Sequence, residues 1–249
     1  MRKLIITAFG LFLMLQAFAQ QSIIRTDSDK LLREGLNLYS KEKFGPTQEF
    51  FRRFLETNPA RHTEAQTTAS FYYAVCAVEL FHRDAENLLT SFVYENPESP
   101  LIQQAWYRLG LFFFRDKKYR DARKWFEQTA PEFLEPEQTD EYHFKLGYCY
   151  FRAEDYDRAL SAFALVKDGE SPYATTATYY YGHIQYSNKN FESALEHFRK
   201  LDKDEVFGRV VPFYISQIYY LQKKYDQVID YAAPVLDTTR SRRGPEIAR

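Results

Sequence analysis

Cysteine, tryptophan, glycine and proline are all scarce in this 249-residue chain, which holds two, two, nine and ten of them. Two cysteines exclude a disulfide-dense scaffold and leave no set of thiolates for a zinc module. Cys76 and Cys149 lie inside apolar helical runs 73 positions apart, so two buried thiols are predicted, not a bridge. Few glycines and prolines argue against a loop-rich sandwich and for long regular elements. Basic residues are not in excess, 33 against 34 acidic ones, so the basic stripe required by a phosphate backbone is missing and no nucleic acid is expected. The phosphate-cradling G-x-x-x-x-G-K-[ST] loop, the G-x-S-x-G elbow and the H-E-x-x-H zinc helix are absent. The five histidines never share one helix at metal-ligand spacing. The chain is therefore read as non-catalytic, with no cofactor and no metal.

Hydrophobic runs long enough to span a bilayer are also missing. The longest, Leu4 to Phe18, follows Arg2 and Lys3 and ends at Ala17-Phe18-Ala19. Positive start, short apolar stretch and small-x-small terminus describe an export signal over residues 1–19, and the stretch falls short of the ~20 residues of a spanning helix. A flexible segment, 20–27, is expected next. No cysteine follows the cleavage site to accept a lipid. The expected location is outside the cytoplasm, periplasmic or at the outer membrane, where peripheral association with membrane complexes is compatible with the sequence. Cleavage moves the formal charge from −1 to −3.

Aromatic residues, by contrast, are abundant at 18%, with 20 tyrosines and 22 phenylalanines. Such a load must fill a core or line a binding face, because scattered exposed rings promote aggregation. They recur in a fixed frame. Trp106-Tyr107-Arg108-Leu109-Gly110 is followed by Phe113, Tyr119, Ala122 and Phe126. Leu146-Gly147, Tyr150, Tyr156, Ala159 and Phe163 repeat it, as do Tyr181-Gly182, Phe191, Ala194 and Phe198. Weaker copies start at Gly35, Tyr73 and Ser216. Aligned on positions 35, 73, 110, 147, 182 and 216, the spacings are 38, 37, 37, 35 and 34.

This frame resembles the tetratricopeptide repeat, W-x2-L-G-x2-Y…A-x3-F…P, across about residues 28–240. The resemblance implies an all-α fold, a right-handed superhelical solenoid of about six antiparallel helix pairs. The repeats fall at about 28–60, 63–98, 101–134, 139–171, 173–205 and 209–238, with 241–249 beginning a further helix, a truncated seventh repeat. It further implies that glycine on the first helix faces the alanine twelve residues on, and that the Phe after that alanine reaches the next repeat. Tyr73 and Ser216 in the glycine place predict looser second and sixth pairs. Bulky residues at a late position (Phe54, Phe92, Thr129, Val166, Leu201 and Val235) and endings such as Asn96-Pro97 are similar to periplasmic repeat proteins of outer-membrane assembly and envelope coordination.

In such arrays the first helix of each pair lines the inner surface, through residues three before, one after and four after the small residue. Those places read Leu32, Leu36, Tyr39; Ser70, Ala74, Ala77; Tyr107, Leu111, Phe114; Phe144, Tyr148, Phe151; Tyr179, His183, Tyr186; and Phe213, Gln217, Tyr220. Arg115 and Arg152 directly follow their rungs. Two readings stand: the rings pack on one another, or they form an amphipathic groove for a protein or peptide partner. The expected function is an interaction scaffold in the cell envelope. Alternatives are a carbohydrate-binding or small-ligand groove of outer-membrane uptake, or the docking region of a longer chain.

Overall fold

The computed structural model describes residues 28–58 and 63–232. Every regular element among them is a helix, in agreement with the all-α expectation. Helix α1 covers 28–39, followed by α2 Phe44–Thr57, α3 Glu64–Glu79, α4 Ala85–Glu95, α5 Ile102–Arg115 and α6 Tyr119–Phe126. Then come α7 Pro136–Arg152, α8 Tyr156–Ala164, α9 Ala174–Ser187, α10 Phe191–Lys200 and α11 Val211–Leu221, and α12 is described over 225–232. The export signal, the 20–27 segment, Pro59, Val235 and the 241–249 segment lie outside the described residues. No described helix is long and apolar enough to cross a membrane.

These helices fall into two compact units, α1–α5 with residues 128–130, and α6–α12. In the first, α3 packs on α2 and α4, and α4 on α5. In the second, each helix from α6 to α11 packs on its successor. Local sequence sets the helix starts. Thr63 accepts a hydrogen bond from the Gln66 amide at 3.2 Å ahead of α3, and α7 opens on a reciprocal box between Glu135 and Gln138, with Pro136 in the first turn. In α6, Ala122 and Phe126 are four apart and fully buried while Arg120 and Lys124 face water, so one amphipathic stripe docks the helix.

The turn within each helix pair is the same throughout. Glu42, Phe81, Lys117, Glu154, Lys189 and Lys223 take φ between 56° and 62°, the left-handed region, although none is glycine. The residue after each closes the helix end by donating its amide to a carbonyl five back, as in Lys43→Leu38, His82→Ala77, Asp155→Tyr150 and Asn190→Gln185.

This turn corrects the alignment of the second pair. The left-handed residue lies seven after Gly35, Gly110, Gly147, Gly182 and Ser216, and Phe81 lies seven after Ala74. The small residue of the second pair is thus the buried Ala74, while Tyr73 is only half-buried. From Ala74 to the buried Ala85 is eleven residues, against twelve from Gly110 to Ala122, which hides the offset in the sequence.

The glycine contact is corrected too. A Cβ on Gly35 would lie 2.7 Å from Phe51 Cε1, on Gly147 3.0 Å from Phe163 Cδ1, and on Gly182 3.1 Å from Phe198 Cε1. Glycine therefore makes room for the phenylalanine sixteen residues on, not for the alanine twelve on. The late-position residues Phe54, Phe92, Thr129, Val166 and Leu201 are buried. Cys76 and Cys149 are buried free thiols, and burial pushes both up to about 12.

Candidate functional site

Residues assigned to the inner face have different environments in the two units. In the first, Tyr107 is 1% exposed, so it belongs to the core and not to a groove. Ala74 and Ala77 are equally buried. They occupy these places only in the misaligned frame; from Ala74 the corresponding residues are Phe71, Val75 and Val78, all buried. Phe114 is half-buried. Arg115 donates to the Val78 carbonyl at 3.3 Å and lies 4.4 Å above the ring of the exposed Phe81. It adds a charged donor at the C-terminus of α3, on a carbonyl that also accepts from the Phe81 amide at 3.2 Å.

The second unit brings most of its predicted residues together. Phe144, Tyr148 and Phe151 from α7 and Tyr179, His183 and Tyr186 from α9 are all half-buried and joined by ring contacts. Tyr148 and Phe151 meet Tyr180 at 5.2 and 5.0 Å between centroids, and Phe151 meets His183 edge-on at 5.8 Å. Tyr179, His183 and Tyr186 each meet Tyr214, at 6.4, 5.5 and 5.2 Å. Phe213 and Tyr220 on α11 are 59% and 63% exposed. Phe213 touches Tyr214 and Tyr220 touches Tyr225.

The phenol groups crowd together, and Tyr186 donates to Gln217 Oε1 at 2.6 Å. Tyr148 is a junction, its ring 5.2 Å from Tyr119 and 5.2 Å from Tyr180, with Arg152 next to it. Arg152 also lies 5.0 Å over the Tyr119 ring. Burial, and secondarily Tyr148, push Tyr180 up to about 12, so the cluster stays phenolic at neutral pH. Arg152 is exposed and, among the described residues, pairs with no carboxylate. Arg108 and Arg158 differ, since Glu79 neutralises the first and Asp155 with Glu127 the second.

His183 has its own peculiarity. Its Nδ1 is buried without a hydrogen-bond partner, and burial lowers the imidazole below its usual value. No group of three or more metal-ligating side chains occurs among the described residues.

Tyr180 and Tyr214 stand out nowhere in the sequence frame, and Tyr119 only as the aromatic three before Ala122, yet all three are hubs of the network. Tyr180 and Tyr214 stand two before the small residue, and so does Tyr72 once Ala74 is the reference. The signal was visible in three of six repeats only with the second pair aligned by its turn.

The family model for the tetratricopeptide repeat matches residues 81–133 and 144–205. No curated protein matches the chain. Among solved structures, YrrB, described as a TPR protein with an unusual peptide-binding site, superposes with a TM-score of 0.55 at 22% identity, covering 71% of this chain and 87% of its own. Pseudomonas aeruginosa pilF gives 0.54 at 13% identity, over 88% and 93% of the two chains. A tetratricopeptide repeat protein from Parabacteroides merdae gives 0.54 at 12%, over 88% and 80%. At these identities the likeness is one of fold.

Proposed function

From the premise that this chain carries tetratricopeptide repeats, we propose that it is a non-catalytic adaptor that holds a protein or peptide partner on the ring-lined face of its second unit. The anchor is Arg152. Among the described residues it is a cation without a carboxylate partner, lying 5.0 Å over the Tyr119 ring and next to the Tyr148 phenol, in the ring cluster that Tyr148 and Phe151 form with Tyr180. A guanidinium held in one orientation loses little freedom when it meets a carboxylate, and the rings next to it supply apolar area. The partner segment is therefore an extended or helical peptide presenting a carboxylate next to an apolar side chain. The solved structure of YrrB, named for a peptide-binding site, supports a binding role for a chain of this fold.

We place this adaptor outside the cytoplasm, on the strength of Arg2, Lys3 and the Leu4–Phe18 stretch ahead of Ala17-Phe18-Ala19. Envelope assembly or maintenance is the process this location suggests. Sugar capture is the weaker reading, because the rings that would stack on a sugar already pack against one another.

The test is fluorescence anisotropy of the full chain with labelled decapeptides that carry, or lack, glutamate and a free C-terminal carboxylate beside a leucine or phenylalanine. Carboxylate peptides should bind, weaken as salt is raised, and lose about tenfold in affinity with Arg152→Gln. Equal binding of neutral, amidated peptides, or of wild type and Arg152→Gln, overturns the assignment.

A further inference from the structure

One packing contact recurs at three of the four junctions between successive first helices inside the units. There the inner-face residues of a first helix meet a tyrosine of the next first helix, two residues ahead of its small residue; at the other junction, α3 to α5, that place holds Arg108, paired with Glu79 of α3. In the first unit, Tyr72 of α3 lies 4.6 Å from Tyr39 and in one cluster with Leu32 and Leu36 of α1. In the second, Tyr180 of α9 meets Tyr148 and Phe151 of α7, and Tyr214 of α11 meets all three of Tyr179, His183 and Tyr186 of α9. Each tyrosine is backed by a phenylalanine of the preceding second helix in near-parallel stacking: Phe51 at 5.8 Å, Phe163 at 5.7 Å and Phe198 at 5.2 Å. The three occupants read Tyr72-x-Ala74, Tyr180-x-Gly182 and Tyr214-x-Ser216. A small residue two ahead lets the helix come close enough for the ring to seat.

The receiving surface of α11, the last of the six first helices, meets no such tyrosine among the described residues. On α11 it consists of Phe213, Gln217 and Tyr220, with both rings mostly exposed, and the apolar face continues through Leu221, Tyr225 and Ile229 at 54%, 53% and 66% exposure. Residues 233–249 contain no aromatic side chain, so they do not supply the missing ring.

We propose that Phe213, Gln217 and Tyr220 form a docking socket for a helix of a protein partner, one that carries a tyrosine two residues ahead of an alanine, glycine or serine. The occupant follows from the three filled copies, and the surface is continuous with the contacts that Tyr214 and Gln217 of α11 make with α9. The ring enters between the Phe213 and Tyr220 rings. Its apolar area is removed from water, and the small residue keeps the two helices in contact. This socket is separate from Arg152 and does not depend on the carboxylate reading.

The probe is a stapled, fluorescein-labelled peptide with the sequence of α9, residues 174–187, titrated with the full chain. Saturable binding is expected. It should fall about tenfold when the peptide's Tyr180 equivalent is alanine, and likewise with Phe213→Asp or Tyr220→Asp in the protein. Both protein positions are exposed, so circular dichroism and melting should be unchanged. Absence of binding, or equal binding of the tyrosine-free peptide, overturns the proposal. So does photo-crosslinking from benzoylphenylalanine at position 213 that captures a second copy, or residues 233–249, in place of the peptide.

Discussion

The ring of Tyr180 lies on that of Phe163 with centroids 5.7 Å apart and planes 16° from parallel. The tyrosine comes from one helix pair and the phenylalanine from the preceding one, so the contact is a seam between repeats. Phe163 is fully buried, and Tyr180 covers it while also touching Tyr148 and Phe151.

Tyr180→Ala should therefore lower the unfolding free energy by about 2–4 kcal/mol, through lost ring area and the cavity above Phe163. Tyr180→Phe keeps the stack and removes only the hydroxyl, at a cost of no more than about 1 kcal/mol. Urea denaturation of the three proteins measures both. A loss as large for Tyr180→Phe as for Tyr180→Ala would assign the seam to the hydroxyl and not the ring.

Glycine-to-alanine changes should differ in sign along the chain. Alanine is favoured over glycine within a helix by about 1 kcal/mol. At Gly45 the new methyl meets nothing within 4 Å, so a net gain of up to about 1 kcal/mol is expected. At Gly35 it would sit 2.7 Å from the buried Phe51 ring, and overpacking of about 1–3 kcal/mol outweighs the propensity. Melting temperatures of the two variants should move in opposite directions.

The left-handed turn residues offer a separate gain. Lys189 holds φ at 61°, a conformation that costs a residue with a Cβ about 1 kcal/mol and glycine nothing comparable. Lys189→Gly should raise the urea midpoint. An unchanged or lower midpoint would mean that the added freedom of the unfolded chain cancels the relief.

Acidification should weaken the second unit through His183. Burial lowers its folded value below the unfolded 6.5, so the unfolded chain binds the proton first. The stabilising effect is complete above the unfolded value and is lost as pH falls through 6.5 toward the lower folded value. His143 is shifted the same way by burial and adds to the slope. His183→Gln should show a smaller drop in urea midpoint between pH 7.5 and pH 5.5 than wild type; an identical drop would remove His183 from the account.

Both thiols should be inert in the folded protein. At about 12, the thiolate of Cys76 or Cys149 is a fraction of order 10⁻⁴ at pH 8, and both sulfurs are buried. Ellman's reagent should react with two thiols in denaturant and with none, on the minutes scale, without it.

Much of the fold was legible because its signals are local. The spacing of Gly147, Tyr156, Ala159 and Phe163 marks two helices, a turn between them and the ring that enters the next pair, all within one stretch of sequence. The sequence misplaces the second pair because Tyr73 stands twelve before Ala85, as glycine stands before alanine elsewhere, whereas the turn at Phe81 sets the frame on Ala74, eleven before it. Position finds the inner-face residues but not their burial. Tyr107 and Tyr148 both sit on inner-face positions of the repeat frame, and one lies in the core while the other is half-buried among rings next to Arg152.

Sequence alone determined that this chain is helical, that its helices come in pairs, and that a phenylalanine (Phe51, Phe126, Phe163, Phe198) backs four of the six, since these follow from the period and side-chain size along a single stretch of chain. Tertiary structure decided which tyrosines seat in which neighbours, that Arg152 has no described counter-ion, and that the α11 rings face outward. Those outcomes depend on the offset between helices of neighbouring pairs, and that offset is set by the fit of whole surfaces.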